Sequence, residues 1–265
     1  MSTPQPPLIG VFDSGVGGLS VLKALHQQLP HNDLLYVADS GHAPYGERSD
    51  EFITERTHRV ASHLLSQGAS LLVLACNTAT AVAAASLRER WPDLPIVAVE
   101  PGIKPAVAIT RNGRIGVMAT PATLRSDKFK RLAQAHGGDV EVLLQPCPGL
   151  AGQIEQGEAD SPTLLALIEK FAAPLRQARV DTVVLGCTHY PFVIQQIQAA
   201  LGAHVRLIDT ADAVARHAVR RLGDAARGAF AGGVRLQTTG DATRLAGIAR
   251  RWLPFACSVT AAPGL

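Results

Sequence analysis

The chain has 265 residues, 47% hydrophobic and only 18% charged, a balance that fits a compact globular fold rather than a disordered or fibrous one. Its 25 Lys and Arg against 22 Asp and Glu leave a formal charge of +3, and the one dense basic stretch, ARHAVRRLGDAARG, spaces its arginines along a helix with no interleaved aromatics, so a solvated helix face is expected and no nucleic-acid partner. MSTPQPPLIG carries no basic-then-apolar leader and no apolar run is long enough to span a bilayer, so a cytoplasmic, membrane-free protein with four reduced cysteines is expected.

In chain order, short aliphatic runs alternate with longer amphipathic stretches. LIGVFD reads as a strand, GGLSVLKALHQQL as a helix, DLLYVAD as a strand and FITERTHRVASHLLSQG as a helix. SLLVLAC, NTATAVAAASLRERW and LPIVAVE continue the pattern as strand, helix, strand. GRIGVMAT, DVEVLLQ, VDTVVLGC, HVRLIDT and VRLQTT are further strands, with TLLALIEKFAAPLRQA helical between the second and third of these. The near-continuous Val, Ile and Leu content suits parallel strands covered by helices on both faces.

Two pairs of segments resemble each other at nearly one offset. LLVLACNTAT and VVLGCTHYP are related by 111 positions, and Ile9-Gly10-Val11 and Ile115-Gly116-Val117 by 106. The expected architecture is therefore α/β, with two similar, pseudo-symmetric domains of mostly parallel sheet and an active site in the cleft between them. The join falls near VEPGIKPAV, where Glu100, Pro101, Gly102 and Pro105 break the strand pattern. The expected division is residues 1–100 plus 210–265 for the first domain and 101–209 for the second.

Ligands of open parallel sheets bind beyond the carboxyl ends of the strands. The residues that close the apolar runs are Asp13-Ser14, Asp39-Ser40, Cys76-Asn77-Thr78, Thr120 with Thr123, and Cys187-Thr188-His189. Each of the two cysteines is expected where a strand hands over to a helix, and there the free N–H groups and the helix dipole favour both a thiolate and a substrate carboxylate. A single strand-end cysteine is most simply a small buried hydrophobe. Two at matching positions in two half-sites suggest instead a pair of acid–base groups on opposite faces of one carbon. Such a pair performs racemisation or epimerisation without a cofactor. Each thiol needs a helper to lose its proton, and Asp13 and His189 are the nearby candidates.

GVFDSGVGGLSVL, YVADSGHAPYG, ACNTAT and GCTHYP, in that order, together resemble the glutamate racemases, cofactor-independent enzymes that make D-glutamate for bacterial peptidoglycan. LIDTADAVAR extends the likeness to about residue 216, and HYP after the second Cys-Thr separates it from the aspartate racemases. The resemblance implies that Cys76 takes the proton from D-glutamate, assisted by Asp13, and that Cys187 takes it from L-glutamate, assisted by His189. It further implies substrate contacts from Asp13, Ser14, Tyr45, Gly46, Asn77, Thr78, Thr188 and His189. Thr120 and Thr123 match a Gly-Thr-x-x-Thr carboxylate-binding pattern in which this chain has Ala119 for the glycine. Glu155 in GLAGQIEQG matches an acidic position of the family, and a homodimer fits the family. The segment after about residue 217 is generic and carries no expectation for the site.

Other readings are weaker. DSGVGG lacks G-x-G-x-x-G order and a Walker lysine, and Asp13 would repel a phosphate. Cys187 and His189 alone are too few ligands for a metal. Only Lys104 lies near a strand end, and PGIKPA offers no partner for the pyridine ring of pyridoxal phosphate; C-x-x-C is absent. Cys147 and Cys257 read as structural thiols. A module that binds a small acid without chemistry is the main non-enzyme alternative, and the paired cysteines argue against it.

Overall fold

The computed structural model describes residues 7–138, 140–156, 160–226, 231–262 and 264–265. Two parallel sheets organise it. The first carries β1 (Leu8–Asp13), β2 (Leu34–Ala38), β3 (Ala69–Leu74), β4 (Ile96–Ala98), β9 (Val234–Thr238) and β10 (Ser258–Ala261) in the order β10-β9-β2-β1-β3-β4. The second carries β5 (Arg114–Ala119), β6 (Glu141–Pro146), β7 (Thr182–Gly186) and β8 (Arg206–Ile208) in the order β6-β5-β7-β8. Every pairing in both sheets is parallel.

The order β2-β1-β3-β4 in one sheet and β6-β5-β7-β8 in the other is the same arrangement written twice. This is what the repeated Ile-Gly-Val and aliphatic-Cys-Thr segments encode, since the former lie in β1 and β5 and the latter close β3 and β7. In each sheet the winding reverses between the first and third strands of the repeat, which makes a topological switch point beside Asp13 and Cys76 in one and beside Thr120 and Cys187 in the other.

Helices cover both faces because these strands are apolar on both. On one side of the first sheet, α1 (Leu19–Gln28), α10 (Ala211–Leu222) and α11 (Ala242–Trp252) bury Leu22, Leu25, Ala215, Ala218, Leu245 and Ala249 against Ile9, Val11 and Leu71. On the other, α2 (Asp50–Ser66) and α3 (Asn77–Arg90) bury Ile53, Val60, Leu64 and Leu87 against Phe12, Leu72 and Leu74. The second sheet is covered by α4 (Ile103–Ile109) and α6 (Asp127–Gly137) on one face. Its other face meets α7 (Leu150–Glu155), α8 (Pro162–Gln177) and α9 (Ile194–Leu201). The short α5 (Pro121–Arg125) follows β5. In α8, Leu164, Ile168, Phe171, Ala172 and Leu175 recur at helical spacing and are all buried; truncating Phe171 to Ala would cost about 3–5 kcal/mol. Ser161 caps its first turn through Leu164 N–H at 3.3 Å, with Pro162 at the first helical position.

Nine strands lie where the aliphatic runs predict them. β10 was not foreseen, because SVTA is short, has one exposed edge and is mostly exposed. β6 is also an edge strand, with Leu144 about half exposed. The basic stretch falls on α10, with Arg216, Arg220 and Arg221 exposed and Val214, Ala215 and Ala218 packed inward, and its residues 227–228 lie outside the described ones. No helix among the described residues is long and apolar enough to cross a membrane.

Candidate active site

β3 ends at Leu74, and after Ala75 the chain turns into α3 with Cys76 as the residue that caps it. The Cys76 backbone is extended, and its sulfur accepts from the Ala79 N–H at 3.4 Å. Ser14 Oγ lies 3.3 Å from the same sulfur, brought there by the loop after β1. Burial, reinforced by the charge of Asp13, pushes the Cys76 thiol up to about 11. It therefore rests as a thiol, with the helix N-terminus ready to stabilise the thiolate when one forms.

β7 ends one residue before Cys187, and here the local structure departs from the expectation. No α-helix starts at Cys187. The chain enters a 3₁₀ turn at Tyr190–Val193, with Pro191 in its first turn, and α9 begins only at Ile194. The dipole argument thus applies to Cys76 alone. At Cys187 the polar partner is a side chain, with His189 Nδ1 3.7 Å from the sulfur.

His189 is itself held from behind. Its Nε2 lies 2.6 Å from Glu155 Oε1, and that oxygen also accepts from Val16 N–H at 2.7 Å. Burial alone would favour neutral imidazole, yet the bonds to Cys187 and Glu155 raise His189 well above its ordinary value. Burial would likewise raise Glu155, but the hydrogen bond and the charge of His189 hold it below its ordinary range. Sulfur, imidazole and carboxylate form a hydrogen-bonded chain from Cys187 through His189 to Glu155.

Asp13 stands behind the other wall. Its carboxylate accepts from Gly15 N–H at 2.7 Å and from the Thr188 hydroxyl at 2.9 Å, so it ties the first sheet to the second. Burial raises its pKa above the ordinary carboxylate value. Its hydrogen bonds go to Gly15 and Thr188, whereas the Cys76 sulfur is met by Ser14 and Ala79, so Asp13 reaches Cys76 through its field. The glycines of DSGVGG serve close approach. A Cβ on Gly15 would fall 1.8 Å from Glu155 Oε1, and one on Gly17 would fall 2.4 Å from His189 Nδ1. Bare backbone here lets the first sheet's loop touch the second sheet's acid–base groups.

Cys76 and Cys187 line one cavity of about 30 Å³, together with Ser14, Tyr45, Gly46, Asn77, Thr78, Thr120, Thr188 and His189. That is room for a water or two, so the cleft is nearly shut. Thr78 and Thr120 hydroxyls meet across it at 2.9 Å, and Thr123 sits one layer back, 2.9 Å from Thr120. Asn77 Nδ2 is buried without a protein partner, a donor left open in a cavity wall. Ala119, in place of the pattern's glycine, ends β5 and leaves Thr120 free to cap α5.

Three contributors were missed or left without a role. Glu155 proves to be the partner of His189. Cys147, read as structural, lines the same cavity, buried to a level that pushes its thiol up to about 12. The C-terminal region, read as silent, bonds Glu155 of the cavity wall and the residue behind Tyr45, since Arg244 of α11 donates to the Glu155 carbonyl at 2.5 Å and Thr239 donates to Asp39 at 2.8 Å. Among the described residues no group of three or more His, Cys, Asp or Glu is placed to hold a metal ion.

Comparison with known proteins points one way. The model of the Asp/Glu/Hydantoin racemase family matches residues 9–218. The glutamate racemase of Pseudomonas aeruginosa PAO1 is 55% identical over 214 residues, 81% of each chain. A glutamate racemase isoform of Bacillus anthracis superposes with a TM-score of 0.89 at 32% identity, covering 98% of this chain and 99% of that one. The Escherichia coli glutamate racemase, crystallised with L-glutamate and the activator UDP-MurNAc-ala, superposes at 0.84 with 31% identity, covering 97% and 98%.

Proposed function

This chain belongs to the Asp/Glu/Hydantoin racemase family, and from that premise we propose that it interconverts L- and D-glutamate without a cofactor, supplying D-glutamate for bacterial peptidoglycan. The observation that carries the reading is the pair of cysteines at equivalent strand ends of two sheets, both lining one cavity.

In the L-to-D direction, Cys187 as thiolate removes the α-proton from one face. The electron pair left on the α-carbon delocalises into the adjoining carboxylate, whose growing charge is met by N–H groups at the start of α3 and by the Thr78 and Thr120 hydroxyls. The Cys76 thiol then gives its proton to the opposite face, leaving Cys187 protonated and Cys76 as thiolate. The reverse reaction uses the same groups in exchanged roles. His189, charged and backed by Glu155, stabilises the Cys187 thiolate. Ala79 N–H and Ser14 do so for Cys76, and Asp13 orients Thr188 and the loop that bears Ser14. Asn77 Nδ2 offers the substrate an unused donor. Tyr45 and Gly46 complete the wall.

The two-thiol arrangement is tested by Cys76→Ser and Cys187→Ser, each assayed by polarimetry with chelator present and no added cofactor. The wild type should racemise L-glutamate, and each variant should lose at least about 10³-fold in kcat, because general acid–base groups contribute about 10²–10⁴ each and a one-sided site cannot invert the centre. A variant that keeps near-normal turnover would refute the two-base reading. Glutamate binding without turnover in the wild type would favour the small-acid binding module instead.

A further inference from the structure

Asp39, the residue after β2, is fully buried and lies outside the cavity, yet four side chains converge on its carboxylate. Arg56 of α2 grips it as a fork, Nε to Oδ2 at 2.9 Å and a terminal nitrogen to Oδ1 at 2.8 Å. Thr239, just past β9, donates to Oδ1 at 2.8 Å, and His42 Nδ1 lies 2.9 Å from the same oxygen. The fourth partner is Tyr45, whose hydroxyl donates to Oδ2 at 2.5 Å.

The geometry points to Asp39, clamped by Arg56 and Thr239, as a positioning residue for the proposed racemase reaction, one that fixes the Tyr45–Gly46 wall of the substrate cavity. The inference rests on the reading of that cavity as the glutamate site. The Tyr45 hydroxyl is spent on Asp39, so what Tyr45 offers the substrate is its backbone and ring. The ring packs against Phe12 and Phe52. The segment it begins, Tyr45–Glu47, faces Thr120 across the cleft so closely that a Cβ on Gly46 would lie 2.9 Å from Thr120 Cβ. A wall this near its opposite side has little tolerance for drift. Asp39 is also tied to the catalytic floor, since its N–H donates to the Asp13 carbonyl at 3.0 Å.

Burial would raise the Asp39 carboxyl, but the bonds from Arg56, Tyr45 and Thr239 outweigh it and hold the group ionised. The thiols follow β3 and β7, and none of the side-chain hydrogen bonds to the Asp39 carboxylate comes from either strand. Loosening this hub should therefore weaken substrate binding and spare the chemical step. Purely structural support would instead lower stability and leave KM alone.

Asp39→Asn leaves the buried Arg56 charge unmatched and is expected to destabilise the fold, so gentler variants make the test. Tyr45→Phe keeps the ring and removes only the tether. Thr239→Val acts from outside the cavity, and Thr239→Ser restores its hydroxyl. Turnover and the calorimetric affinity for L-glutamate are measured on each. Tyr45→Phe should raise KM and Kd about five- to tenfold with kcat within about twofold, a tether to a charged group being strong enough for that. Thr239→Val should raise both about threefold, and Thr239→Ser should return them to the wild-type values. Unchanged KM and Kd in folded Tyr45→Phe would overturn the proposal, as would a fall in kcat at constant KM. A wild type that binds glutamate without turning it over would refute the racemase reading, and the variant affinities would still decide on the hub.

Discussion

Cys76 and Cys187 end equivalent strands but keep different company, and the difference is set by single residues. Pro191 lies two residues past Cys187-Thr188-His189 and a 3₁₀ turn replaces the helix start, so in the proposed reaction His189 supplies the positive partner that the α3 N-terminus supplies to Cys76. The His189–Glu155 pair makes a definite pH prediction. Glu155 is depressed below its ordinary 4.5 and His189 is raised above its ordinary 6.5. Their pairing therefore stabilises the fold in full between those two values. It is lost as pH falls through the lowered Glu155 value or rises through the elevated His189 value. Glu155→Gln keeps the size and removes the charge, so burial should drive His189 towards the neutral ring. The alkaline limb of the kcat/KM profile is expected to move at least about one unit lower. An unmoved limb would mean that His189 holds its proton without Glu155. From the sequence, Asp13 and His189 could be picked out as helpers because they end or follow strands. Glu155 carried no such signal, since its partner lies 34 residues away and only folding joins them.

At the scale of elements, most of the fold was legible because parallel strands covered on both faces must be apolar throughout, and nine of them stand out as Val, Ile and Leu runs. β10 escaped because an edge strand with little burial needs no such run. The part played by the C-terminal elements escaped for a different reason. Thr239 and Arg244 act by donating to groups distant in sequence, and a threonine and an arginine in a generic stretch look like any solvated pair. Arg244 of α11 binds the carbonyl of Glu155, the last residue of α7, where helix carbonyls lack intrahelical donors. This contact joins α11, packed on the first sheet, to α7 beside the second. Arg244→Ala is expected to loosen the end of α7 and lower kcat/KM about fivefold, the worth of about 1 kcal/mol for one hydrogen bond, with equal loss in both directions because the enantiomers are isoenergetic. Steady-state kinetics with each enantiomer checks it; kcat/KM unchanged from the wild type would show that Glu155 keeps its place without the arginine.

Over the whole molecule, two copies of one β-sheet pattern face each other with a switch point apiece, and the cleft takes one thiol from each. Hydrogen bonds cross it between Thr188 and Asp13, Thr78 and Thr120, Val16 and Glu155, and Gly149 and Glu47. They tie together the two faces of a cavity that both cysteines line. The internal repeat in the sequence foreshadowed this symmetry, because the two Cys-Thr segments occupy the same place in each sheet. The cross-cleft bonds were beyond its reach, since each depends on how one sheet sits against the other. The most direct test of the two-base claim is racemisation of L-glutamate in deuterium oxide, stopped after a few per cent conversion and read by mass spectrometry on the separated enantiomers. The D-glutamate formed should carry one deuterium at the α-carbon while the recovered L-glutamate stays protiated, because one thiol removes the proton and the other delivers a solvent-derived deuteron. D-glutamate that retains its original proton, or L-glutamate labelled as fast as D-glutamate appears, would contradict it.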